Sequence, residues 1–300
     1  MASPPIVDAH QHFWDLERNY LPWLRDEPPI PFRYGDYRAL RRNYLPADYR
    51  RDSAGQNIVK TVHVETEWDP ADPVGETRWL QTIIAASGLP HAIVAQAHLD
   101  ADDVAAVLAG HAGCPQVRGI RHKPGAAASP HAVQPGAPGS MGDPRWRRGY
   151  ALLARHGLSF DLQTPWWHLA EAAELARDFP DTLVILNHTG LPSDRSERGL
   201  AGWRQAMRAL AALPNSACKI SGLGQPGKPW TAADNGPVVR DTIAIFGIER
   251  CMFASNFPVD SLVADFDTIF DGFKAIVADL GAADQAALFH DNAMRFYRLA

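Results

Sequence analysis

The chain has 300 residues, of which 46% are hydrophobic and 21% charged, with a formal net charge of −5. That leaves room for one barrel domain of roughly 250 residues with extensions, and the composition is that of an ordinary globular protein. Arginines are scattered and the balance is acidic, so neither nucleic acid nor an anionic membrane is the expected partner.

At the N-terminus, Met1-Ala-Ser-Pro-Pro5 has neither the basic nor the apolar run of a signal peptide. No stretch is long and apolar enough to span a bilayer, so a cytoplasmic location is expected. The first predicted strand is Ile6–Phe13, followed by a segment at about 21–49 rich in aromatics, Pro and Arg. Strand Lys60–Glu65 and helix Glu76–Ser87 come next, then strand Ala92–His98 and helix Ala101–Gly110. Strand Val117–His122 leads into an Ala-, Pro-, Gly- and Ser-rich segment at about 124–142. Helix Arg145–His156, strand Leu158–Gln163, helix Trp167–Phe179, strand Thr182–Asn187 and helix Gly199–Leu213 continue the alternation. Strand Ala217–Ser221, helix Asn235–Gly247, strand Cys251–Ser255 and helix Asp265–Leu280 follow, and Ala283–Leu299 is expected to close the barrel as a last helix. The helical runs carry apolar residues at spacings of three and four.

Eight strands alternating with helices predict an α/β fold, a single (β/α)8 TIM barrel. A doubly wound open sheet is the alternative, but no GxGxxG follows the first strand. No linker or composition shift divides the chain, so residues 1–300 read as one domain. Both long segments follow strand C-termini and are expected on the catalytic face as lids or pocket walls; the second has a disordered surface loop as its alternative reading. Cys114, Cys218 and Cys251 are far apart with no CxxC pair, which speaks against a disulfide framework and fits a reducing compartment. Nothing sets the oligomeric state, and a homo-oligomer stays open.

The residues that carry chemistry gather at strand ends. In Val7-Asp-Ala-His-Gln-His-Phe-Trp14, His10 and His12 are two apart and share one face of a strand. Strict alternation gives Asp8 the same parity, deeper in the strand. His188 closes the sixth strand in Leu183-Val-Ile-Leu-Asn-His-Thr-Gly190, where polar residues are costly unless satisfied or used. Glu65 ends the second strand, with His63 on its face. Arg121 and His122 end the fourth with opposite parities, followed by Lys123; Gln163 ends the fifth and Ser221 the seventh. Asn256 lies where the eighth strand meets its loop, with Asp260 just beyond Pro258. Each alone reads as a polar strand terminus; their collection at successive ends is the informative fact. Trp14, Trp68, Trp166, Trp167 and Trp230 all follow strands at the same end, and they suggest an aromatic-walled pocket for a sugar ring or planar substrate.

Val7-Asp-Ala-His-Gln-His-Phe-Trp14, Val117-Arg-Gly-Ile-Arg-His122, Ile185-Leu-Asn-His-Thr-Gly190, Lys219-Ile-Ser-Gly-Leu223, Met252-Phe-Ala-Ser-Asn-Phe-Pro258 and Asn292-Ala-Met-Arg-Phe-Tyr-Arg298 resemble the amidohydrolase superfamily. They are most similar to its amidohydrolase-related branch of fucono- and rhamnono-lactonases and the pyrone-dicarboxylate lactonase. The resemblance runs from residue 6 to residue 299. It implies hydrolysis of a cyclic ester, with His10, His12 and His188 matching positions that help bind one or two divalent metals. The strand-eight Asp that activates water in the superfamily is here Asn256, which is neutral and cannot act as a general base. Gln163 stands where a strand-five ligand is expected, and Lys123 is a weak stand-in for a bridging carboxylated Lys.

Three neutral imidazoles can hold Zn²⁺ with an open fourth position, and Asp8 is a candidate to fix one ring from behind. A metal-bound and a metal-free route both stay open; in the second, the histidines bind the substrate's carbonyl. The expected reaction is attack of water on the ring carbonyl of a lactone, with Glu65 or Asp260 as candidate base and Arg121 stabilising the oxyanion. Arg121, His122, Gln163, Trp14, Trp68 and Trp167 are the candidate substrate-binding residues. Arg33, Arg38 and Arg41 are within reach from the first long loop. A rim of tryptophans with few fixed cations fits a sugar lactone better than a dicarboxylate. The alternatives are a metal-dependent decarboxylase or amide hydrolase of the same superfamily, and a non-catalytic binding barrel.

Overall fold

Eight parallel strands pair in chain order in a computed structural model that describes residues 4–300. They are β1 Ile6–Gln11, β2 Ile58–Val64, β3 Ala92–Gln96, β4 Val117–Arg121, β5 Ser159–Leu162, β6 Val184–Leu186, β7 Ser216–Ile220 and β8 Cys251–Phe253. Each neighbouring pair is parallel, as eight right-handed strand–helix–strand units require. The ring closes just past β8: His12 N donates to Phe257 O at 2.8 Å and Asn256 N to His10 O at 2.8 Å. The (β/α)8 barrel read from the alternation is therefore the observed fold, with strands one or two residues shorter at their ends than the apolar runs suggest.

The helices, in order, are α1 Pro22–Arg25, α2 Pro46–Asp52, α3 Gly75–Ser87, α4 Val104–Ala112, α5 Pro144–Tyr150, α6 Leu169–Asp178, α7 Glu197–Ala211, α8 Ala232–Phe246, α9 Phe266–Ile276, α10 Ala282–Ala286 and α11 Asn292–Phe296. Several starts are capped by side-chain oxygens: Ser196 caps α7, Thr231 caps α8 and Asp265 caps α9. The core lies in two shells. Strand faces turned to the helices pack Ile120, Phe160, Leu162, Val184, Leu186 and Phe253 against helix residues such as Trp146, Trp203 and Phe270. The inner cluster holds Val7, Ala9, Val62, Val94, Ile185, Ala217 and Met252, together with Ala293, Phe296 and Tyr297 from the C-terminal run.

Three expectations change here. The single last helix is broken: Ala287–Asp291 forms a wide turn between α10 and α11. Its Leu288 and Phe289 pack in the outer shell, Phe289 on Phe253, while Phe296 and Tyr297 of the following run join the inner cluster. The first strand does not alternate strictly, because its register against β2 shifts between Asp8 and Gln11. This bulge inserts a residue and flips the parity. Asp8 therefore turns to the helix side, where it accepts from Tyr49 Oη at 2.8 Å and from Ser255 N at 2.8 Å. It does not sit beneath the histidine rings. The third change concerns 124–142, which is an ordered flank. Ala127 N donates to His168 Nε2 at 2.8 Å and Gly136 N to Glu171 Oε1 at 3.1 Å, tying the segment to α6 and the turn before it.

Candidate active site

His10 and His12 lie side by side at the barrel mouth, past the turned-out Asp8. The rings of His10 and His12 have centroids 5.0 Å apart, and His10 lies 4.7 Å from His188. His188 follows β6 with φ of +54° and Asn256 follows β8 with φ of +57°. Left-handed backbone is uncommon for such residues and concentrates at functional sites; here it swings both side chains over the mouth. Gly222 is required beside them: a Cβ there would lie 2.7 Å from His188 Nδ1 and 2.8 Å from Arg33 Nη2.

The hydrogen bonds fix several ring orientations. His12 Nδ1 lies 2.7 Å from Val64 O, a carbonyl that can only accept, so Nδ1 carries the proton. Its Nε2 lone pair then faces Asn256 Oδ1 at 3.3 Å, one acceptor against another. The amide cannot turn around, because Asn256 Nδ2 donates to Asp260 Oδ1 at 2.6 Å. His188 Nδ1 pairs with Ser221 Oγ at 2.8 Å. His10 is fully buried, yet neither of its ring nitrogens has a hydrogen-bond partner. An unsatisfied buried polar group costs about 1–3 kcal/mol. Burial drives all three imidazoles well below the usual histidine pKa. The Lys219 ammonium adds to this at His10, and Arg33 and Arg121 add to it at His188. Three neutral rings, an orphaned pair of nitrogens and a lone pair facing an amide oxygen form a donor set suited to a cation.

Among the described residues, the one trio of His, Cys, Asp or Glu whose donor atoms all lie within 4.8 Å of one another is elsewhere: His98, Asp100 and His122. His122 Nδ1 already accepts from Trp146 Nε1 at 2.9 Å and Leu99 N at 3.1 Å. Its proton is then on Nε2, and the ring has no lone pair left for a metal. The histidine trio at the mouth is looser but chemically the better donor set.

Below the mouth, Lys219 and Asp161 form a fully buried ion pair at 2.6 Å. Tyr297 Oη donates to the same carboxylate at 2.9 Å. In the sequence Lys219 stands only as the first residue of the Lys219-Ile-Ser-Gly-Leu223 motif. A lysine inside an apolar strand is costly unless paired, and that was the available signal.

The carboxylates divide the work. Glu65 lines the mouth, because β2 stops at Val64 and the chain turns there; the parity shared with His63 is not kept. His63 instead points at α3, with Nε2 at 3.0 Å from Glu76 Oε1. Burial alone would raise the Glu65 pKa, but Arg121, with Lys123 behind it, outweighs burial and holds it down. Arg121 Nη1 also donates to Gln163 Oε1 at 3.0 Å. Asp260 is buried, which raises its pKa; Tyr34 Oη donates to it at 3.0 Å, and Arg33 Nη2 stands at 3.4 Å. Asp260 thus grips Asn256 from behind and does not border the open chamber.

That chamber, about 260 Å³, is lined by His12, Trp14, Glu65, Arg121, Gln163, His188 and Asn256, roofed by Trp23, Phe32 and Arg33. The 21–49 segment is therefore a pocket wall. Of its arginines only Arg33 reaches the mouth; Arg38 pairs with Asp36 and Arg41 with Glu27. The aromatic rim shrinks as well. Trp14 and Trp68 line cavities. Trp167 instead donates to Ala127 O at 2.9 Å, and Trp230 packs on Phe273. Trp23, unremarked in the sequence, lines both cavities.

A parallel barrel with histidines at the ends of strands one and six matches a class of barrel hydrolases, from which the amide after strand eight departs. The chain belongs to the amidohydrolase family, whose model matches residues 7–299, and it is a hydrolase. It is 45% identical over 299 residues, all of both chains, to the uncharacterized protein y4mH of Sinorhizobium fredii. It is 29% identical to an L-fucono-1,5-lactonase of Burkholderia ambifaria, over 98% of this chain and 95% of that one. A crystal structure of an amidohydrolase from Burkholderia multivorans with bound zinc superposes with a TM-score of 0.80 at 27% identity, covering 98% of this chain and 99% of that one.

Proposed function

We propose that this hydrolase opens an uncharged sugar-acid lactone by attack of water on the ring carbonyl. The observation that carries the reading is charge pairing at the mouth. Each cation lining the chamber already holds a carboxylate: Arg121 with Glu65, Lys123 with Glu67, and Arg33 with Asp260. No positive charge is left over to clamp a dicarboxylate, whereas paired charges still offer spare donors and acceptors to hydroxyl groups. The likeness to the L-fucono-1,5-lactonase supports the same class of substrate.

His10, His12 and His188 would hold a divalent metal, with Asn256 Oδ1 beside them. When bound, such an ion lowers the pKa of water and polarises the carbonyl. The protein's own groups do the rest. Val64 O and Ser221 orient the His12 and His188 rings. Asp260 keeps the Asn256 oxygen turned to the chamber. Glu65 borders the chamber and, kept ionised by Arg121, receives the proton of the attacking water and returns it to the ring oxygen as the acyl C–O bond breaks; reach outranks its low pKa in the choice over Asp260. Trp14, Trp23 and Phe32 give the ring an apolar wall from which water is excluded.

The test is acid release from a panel of aldonolactones, followed with a pH indicator, with metal content measured on the same preparation. Turnover of at least one aldonolactone and loss of turnover with chelator are expected. Glu65→Gln should lower kcat by about 100-fold or more. Silence across the panel from metal-loaded protein overturns the lactonase reading, and near-native kcat in Glu65→Gln removes the base assignment.

A further inference from the structure

Beside the histidine chamber lies a second, larger one. It encloses about 460 Å³ against about 260 Å³ for the first. The two share walls: Trp23, Ile30, Glu65, Glu67, Arg121 and Lys123 border both. A lactone seated at the histidines therefore faces open space across the Lys123–Glu67 and Arg121–Glu65 pairs. Small-molecule sites typically enclose about 300–1,000 Å³, so the first chamber alone is small for a complete site.

The second chamber has a distinct chemistry. Two indoles, Trp23 and Trp68, form apolar walls, and the polar side carries Gln96, His98 and His122. His122 is a fixed donor. Its Nδ1 is occupied by the Trp146 and Leu99 N–H groups, so the neutral ring offers Nε2–H. Burial, with His98 adjacent, holds its pKa down to about 4, which keeps it neutral. Gln96, on the same wall, offers an amide oxygen as acceptor. Indole walls with an N–H donor and an amide acceptor suit a ring that is apolar on its faces and hydroxylated at its edge.

We propose that this second chamber is a binding site for a second sugar ring, so that the preferred substrate is the lactone of a two-ring aldonic acid. The lactone ring sits at the histidines and the appended hexose beside Trp23 and Trp68, its hydroxyls read by His122 and Gln96. The inference rests on the lactonase reading above for the reaction, and on the second chamber alone for the ring.

The experiment pairs gluconolactone with cellobionolactone and maltobionolactone, using the holoenzyme as purified. The kcat/KM for a two-ring lactone should exceed that for gluconolactone at least tenfold. His98→Trp, which fills the second chamber from an exposed position, should bring that ratio close to one. Equal kcat/KM for one- and two-ring lactones overturns the proposal, as does a ratio that survives His98→Trp. Should no lactone be hydrolysed, the reaction assignment fails separately, and calorimetry with the hydrolysed acids decides the site. Cellobionate or maltobionate binding at least tenfold tighter than gluconate, with the difference lost in His98→Trp, upholds it; equal binding overturns it.

Discussion

Asn256 marks the largest departure from the superfamily's usual residue set, and its neighbours explain why it is an amide. Its Nδ2 donates to Asp260 Oδ1 at 2.6 Å while its Oδ1 faces His12. Asn256→Asp would set two carboxylates against each other at that separation, where they cannot both ionise. The single substitution should lower kcat/KM about tenfold or more, the cost of one lost buried hydrogen bond. Combining it with Asp260→Asn restores a donor and an acceptor in exchanged places and should recover most of the loss. Steady-state kinetics on the best aldonolactone would check both; a double variant as poor as the single one would mean the pair is not interchangeable. Asp260 is thus a positioning residue, which its place in the sequence two residues after Pro258 did not disclose.

At the scale of elements, the 21–49 segment does the most unexpected work. It lacks a strand and has only short helical turns, yet it supplies Trp23, Phe32 and Arg33 to the roof. Its anchor over the mouth is Tyr34, whose hydroxyl reaches Asp260 at 3.0 Å. Tyr34→Phe should leave the barrel folded at a cost of about 1 kcal/mol, raise KM several-fold and speed proteolytic nicking within the segment. Unchanged KM and nicking would show that the roof is held by packing alone. The strands, most helices and the strand-end placement of His10, His12, His188, Glu65 and Arg121 were legible from periodicity, because apolar faces must be buried. The direction of Asp8 was not. It depends on a bulge that exists only in the pairing of β1 with β2, and no single-strand pattern records it. The break at Ala287–Asp291 is similar: the amphipathic period runs through it, and the turn lets Phe289 pack on Phe253 in the outer shell while Tyr297 enters the inner cluster.

The whole molecule carries a pH dependence written in its buried imidazoles. His122 has a folded pKa held down to about 4 by burial and by His98, against 6.5 ordinarily. Between these values the unfolded chain binds a proton that the folded chain refuses. Stability is therefore full above pH 6.5 and falls as the pH drops towards 4, by up to about 1.4 kcal/mol per pH unit from this group. Urea unfolding at pH 6.5 and 4.5 should show a loss about 2 kcal/mol greater for the native chain than for His122→Gln. Equal losses would mean that His122 titrates normally in the fold. The ring closure has a different consequence, which concerns assembly. His12 directly follows the opening strand, and the Asn256 it faces lies 244 residues later. During synthesis the histidines emerge early and wait, without their partner, until nearly the whole chain exists. Contacts of such sequence separation form late, after the entropy of the intervening loop has been lost. The reactive pocket is thus a joint between the beginning and the end of the polypeptide. Catalytic competence then reports completed, correctly registered closure, and a truncated or slipped chain is inert instead of partly active.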